Sequence, residues 1–118
     1  MMPQFTEEIR KRIAEVRQYA ESHPATPEEF LKNADDPRWA NTVRIEPGFV
    51  AVYTMQKVGR AYLRHLSVRL QLGKSVFHPS DEAFAAIMHE FGYNQPSESY
   101  IRGEGPSAKH VMEAVPVS

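Results

Sequence analysis

The chain contains no cysteine, which removes disulfides, thiolate zinc sites and thiol nucleophiles together. Long apolar runs are missing too: the longest are a few residues, against the roughly 20 that a membrane-spanning helix needs. Nor does charge of one sign dominate. Fourteen Lys and Arg against fifteen Asp and Glu leave a net charge of -1, whereas a general nucleic-acid binder draws much of its affinity from a basic excess. The start, MMPQFTEEIRKR, has acids where a signal peptide would need a basic stretch followed by an apolar block. A soluble, cytoplasmic protein without membrane contact is expected. Glycine patterns for phosphate or dinucleotide binding are absent, because Gly103-Glu104-Gly105 sits in a polar, turn-rich stretch and not between a strand and a helix. No cofactor is expected.

What is present describes one ordinary domain over residues 1–118. Apolar residues make up 42% and charged residues 25%, which disfavours both disorder and a fibrous class. Phe5, Ile9, Ile13, Val16 and Ala20 recur at spacings of four and three, predicting a helix over 6–22 that Thr6 caps and His23-Pro24 stops. Thr26-Pro27-Glu28-Glu29 is a capping box with proline at the first helical position, predicting a short helix over 27–34. Ser80-Asp81-Glu82 opens a third helix over 81–91. There Phe84, Ile87, Met88 and Phe91 form one face, and Gly92 ends it.

Between these helices the period changes to two. Strands are predicted over 43–46, 49–56 and 62–72, with Pro47-Gly48 and Lys57-Val58-Gly59 as punctuation. Val76-Phe77 suggests a short addition, and the alternation over 110–115 favours an edge strand. Residues 94–107 read as a surface loop. The expected fold is α+β: N-terminal helices and a three- to four-stranded antiparallel meander with helices packed on one face.

The clearest alternation is Arg64 to Leu72. Leu66, Val68, Leu70 and Leu72 point one way, and His65, Ser67, Arg69 and Gln71 the other. Antiparallel sheets commonly keep one face wet, so the second row is read as an outer polar face. If the tail returns as a strand beside 62–72, His110 comes near His65. Those two, with Ser67 and Tyr100, are then the candidate catalytic residues, since a histidine base acts on a nucleophile within hydrogen-bond reach. His23, His78 and His89 have simpler places at helix ends or on a polar helix face. Metal ligands at a recognisable spacing are absent, so no metal is expected. Trp39 and Tyr62 are residue types favoured at binding surfaces. Arg60, Arg64 and Arg69 form a local basic cluster that, with sheet tyrosines, could hold single-stranded nucleic acid on a shared face. Arg64 and Arg69 have opposite parity, so that face would need a bulge.

From His65-Leu66-Ser67-Val68 onward the chain resembles a family of small phage and prophage proteins of unknown function. The shared features are that tetrapeptide, Pro79-Ser80 opening a helix with Phe84, Ile87 and Phe91, then Pro96-Ser97-Glu98-Ser99-Tyr100, and finally His110-Val111. Tryptophans expected at the start of the helix and after His110-Val111 are absent. The resemblance covers the C-terminal half and implies a phage origin with a strand-helix-strand half, but no activity.

Three functions follow as expectations. The first is a non-enzymatic protein that binds another macromolecule, such as a phage accessory or anti-host inhibitor, with a protein partner and a homodimer as its forms of association. The second is a nucleic-acid-binding protein using the Arg/Tyr sheet surface. The third is a histidine-dependent hydrolase or transferase built on His65 and His110.

Overall fold

A computed structural model describes residues 1–93, 99–103 and 107–115, with Val58 and residues 99–103 described by backbone alone. Among the described residues three helices, α1 (Glu7–Ser22), α2 (Pro27–Asn33) and α3 (Asp81–Glu90), accompany six strands. The strands are β1 (Thr42–Ile45), β2 (Phe49–Val58), β3 (Ala61–Leu72), β4 (Ser75–Phe77), β5 (Ser99–Gly103) and β6 (Ala108–Val115). All pairings are antiparallel, and the sheet order is β1-β2-β3-β6-β5, with β4 beside the end of β3. The α+β class with its meander is as the sequence predicts, and the predicted elements match to within two residues at each end.

Local chemistry explains where the helices start. The hydroxyls of Thr6, Thr26 and Ser80 each accept a hydrogen bond from the backbone N–H three residues on, at 3.1, 3.1 and 3.2 Å. Each satisfies one of the donors that a helix leaves orphaned at its first turn. At the end of α3, Gly92 takes φ 84°, a conformation that suits glycine. Both tight hairpins carry glycine at the first turn position: Gly59 (φ 60°) between Val58 and Ala61, and Gly73 (φ 62°) between Leu72 and Ser75.

The sheet exceeds the expected three to four strands. Residues 99–103, read as loop, form β5 against the outer edge of β6, with Ile101 opposite Val111. Turn-rich flanks hid this five-residue strand. Its neighbours 94–98 and 104–106, where the rest of that loop was expected, lie outside the described residues.

One face carries the main core. Ile13, Val16 and Ala20 of α1 and Phe84, Ile87 and Met88 of α3, with Phe91 just beyond it, form one buried cluster with Val43, Ile45, Phe49, Ala51, Tyr53, Leu66, Val68 and Val111. The opposite face is not the wet surface expected from the alternation. Val50, Val52, Thr54, His65, Ser67 and His110 are all buried there. Phe30 of α2 supplies part of the cover, its ring centroid 4.9 Å from that of His65. Polarity in the alternation does not entail exposure here, because Phe30 of α2, backed by Trp39, covers part of the row.

Candidate functional site

The site begins with strand register. Ser67 on β3 pairs with His110 on β6, and His65 pairs with Met112, so His65 and His110 are diagonal neighbours on one face. Their rings are parallel to within 1°, with centroids 5.0 Å apart, and His65 Nε2 lies 2.9 Å from His110 Nδ1. At that distance one ring nitrogen donates and the other accepts, which fixes the two tautomers relative to each other. His65, Ser67 and His110 are each only 7% exposed.

Beside this pair opens a cavity of about 630 Å³ between α2, β3, β4 and β6. Ser67, Arg69 and Gln71 contribute every second residue of β3, and His110 stands opposite Ser67. Phe30, Ala34, Val76 and Ala108 give the apolar walls. Successive residues of that β3 row are about 7 Å apart, so three polar groups span one wall. A smaller cavity of about 280 Å³ at the β1–β2 turn is lined by none of the candidate catalytic or binding residues.

The three arginines occupy three separate environments, so the shared basic face does not form. Arg60 is exposed in the β2–β3 turn, where it lines a shallow cleft with Lys57 and Tyr62. Arg64, with only 11% of its side chain exposed, lies on the core face. Its Nε donates to the Tyr53 hydroxyl at 2.9 Å, Nη1 to Glu113 at 2.8 Å and Nη2 to the Phe91 carbonyl at 2.6 Å. The guanidinium carbon sits 4.1 Å from the centre of the Tyr93 ring. Burial opposes the Arg64 charge, but Tyr53, Tyr93 and Glu113 outweigh it and raise its pKa. Burial likewise pushes the Tyr53 and Tyr93 phenols up. This arginine ties β3 and β6 to the end of α3, a structural duty. Arg69 projects from the opposite face, 13% exposed, and Nη1 donates to the Ala34 carbonyl at 3.2 Å.

Trp39 is half-buried and meets Phe30 edge-on, with centroids 6.4 Å apart. It supports the roof over the histidines rather than offering a bare binding surface. Tyr100 lies opposite Met112 in register, and its side chain, like all of Glu98, lies outside the described residues. His23 Nδ1 is 3.1 Å from the Tyr19 carbonyl oxygen at the end of α1. Among the described residues no three His, Asp or Glu converge to hold a metal ion.

Sequence reasoning passed over Phe30, Gln71 and Val76, which complete the cavity, and Glu113, the partner of Arg64. Glu113 could have been found by aligning the tail antiparallel to β3 once His110 is set against Ser67. Phe30 carried no signal beyond an apolar position in a short helix.

The fold defines the class: an α+β protein with a six-stranded antiparallel sheet, helices on both faces and a buried histidine pair beside a cavity. Comparison with protein-family models, curated proteins and solved structures finds no match. Among the described residues no helix is long and apolar enough to cross a membrane.

Proposed function

We propose that the chain is a small, soluble, cytoplasmic binding protein that acts without catalysis, engaging another macromolecule through the β3–β4 hairpin. The observation that supports this reading is apolar exposure at one tip: Leu72, Val76 and Phe77 are 39%, 37% and 48% exposed. Leu72 and Phe77 lie diagonally on one face, and Val76 on the other. Among the described residues no strand pairs with the outer edge of β4, so a partner strand could add to it. A protein partner fits that edge, and a second copy pairing there would give the homodimer form. A phage accessory role belongs to the same proposal and rests on the sequence resemblance alone.

The experiment compares immobilised wild type with a Leu72→Ser, Phe77→Ser double variant in extract of the source cell. Each side chain still buries half or more of its surface, so the variant should melt somewhat lower and is compared at a temperature where it remains folded. Stoichiometric retention of one protein by the wild type and its loss from the variant is the expected result. Equal retention by both, or none by either, rejects the reading.

A second reading, a histidine-dependent hydrolase or transferase, is favoured by the His65–His110 contact and by Ser67 standing opposite His110. It predicts turnover of an activated ester such as p-nitrophenyl acetate that His110→Gln abolishes. Hydrolysis no faster than in buffer, or unchanged in that variant, removes it.

A further inference from the structure

We propose that the cavity beside the histidine pair binds a small organic monocarboxylate whose remainder is apolar. Charge is the first argument. Among the described residues Arg69 is the one permanently cationic side chain that lines the cavity, and the carboxylate beside it is Asp35, 3.8 Å away. The Asp35 side chain is 99% exposed, so that ion pair is a loose surface contact that a better-placed anion can replace. With Nη1 engaged by the Ala34 carbonyl, the guanidinium retains other N–H donors, and its planar fork matches a carboxylate.

Position is the second argument. Ser67 and Gln71 flank Arg69 on the same strand row, and His110 faces Ser67, so polar side chains flank the guanidinium. Among the described residues one cation lines the cavity, a count that suits a monoanion and leaves a dianionic phosphate uncompensated. Shape is the third. The cavity, about 630 Å³, falls in the usual range for small-molecule sites, and Phe30, Ala34, Val76 and Ala108 offer an apolar lining away from the arginine.

The test uses the full chain, ¹⁵N-labelled, titrated separately with benzoate, with its neutral counterpart benzamide and with inorganic phosphate. Benzoate should shift the amides of Ser67, Arg69, Gln71 and His110 with a dissociation constant on the order of 1 mM, the range open to so small a ligand. Benzamide should bind about tenfold more weakly or not at all, having lost only the charge. Gln71→Glu places a negative charge, like that of benzoate, beside Arg69 at an exposed position, and it should weaken benzoate about tenfold or more. Arg69→Gln should do the same, and Gln71→Glu decides the matter if that variant fails to fold. Equal binding of benzoate and benzamide, stronger binding of phosphate, indifference to Gln71→Glu, or shifts confined to other surfaces would each overturn the proposal.

Discussion

On one face of the sheet, Leu66, Val68 and Val111 sit in an apolar cluster with Ile87 and Phe91 beneath two helices; on the other, the same two central strands bury His65, Ser67 and His110 under a short helix. Both rows are buried, the first at 0% and the second at 7% exposure, yet the chemistry hidden is opposite. Apolar burial gains stability roughly in proportion to area, whereas a buried polar group at best recovers its desolvation cost through its hydrogen bonds. The two faces therefore serve different ends: the first holds the fold together, and the second sets polar groups beside a cavity. Even the buried arginines differ in this way. Arg64 closes the core face with three hydrogen bonds, whereas Arg69 donates to the Ala34 carbonyl just beyond α2 and lines the cavity.

That comparison can be broken first at the core. Phe91→Ala should cost about 3–5 kcal/mol in denaturant unfolding, because a fully buried ring leaves a cavity and loses its stacking on Tyr53. Arg64→Ala should cost about 3 kcal/mol or more by the same measurement, since it leaves Glu113 and the Phe91 carbonyl without their donor. Phe30→Ala should cost only about 1–2 kcal/mol, because its side chain is half-buried on a helix with no fully buried residue. Its larger effect should appear in the imidazole resonances of His65 and His110. A loss from Phe30→Ala as large as that from Phe91→Ala would erase the distinction between the faces.

The phenols sharpen it through pH. Tyr53 and Tyr93, on the core face, have pKa values raised chiefly by burial. Above about pH 10 the unfolded chain releases these protons while the folded chain retains them, so stability falls as pH rises. Ultraviolet titration of the native protein should show these two phenols ionising only with unfolding, and early ionisation of both would contradict their burial. The smallest effect expected is at a cap. Ser80→Ala should cost about 1 kcal/mol by removing the acceptor for the Ala83 N–H, read as a lower melting temperature.

Much of the core face was legible in the sequence because its signals are local. Three capping residues, a period of 3.6 in α1 and α3, and strict alternation from Arg64 to Leu72 each act within a few residues. The site was half legible. His65, Ser67 and His110 could be named, and their approach depended on one antiparallel pairing of the tail. Their burial could not be read, because it depends on how Phe30 and Trp39, more than 20 residues upstream, fold back over the sheet. Arg64 and Arg69 show the same limit: parity separates their faces, but only the packing of α3 and α2 determines what each one touches.

The most direct measurement of the difference between the faces is a thermodynamic cycle on the histidines, with His65→Leu, His110→Leu and the double variant compared by denaturant unfolding. If the pair is kept for its chemistry and not for stability, the double variant should match or exceed the wild type to within about 1 kcal/mol, and each single variant should be less stable than the double. A double variant destabilised by about 3 kcal/mol or more, as expected for deletion of a core side chain, would make the histidines a structural strut and contradict the account.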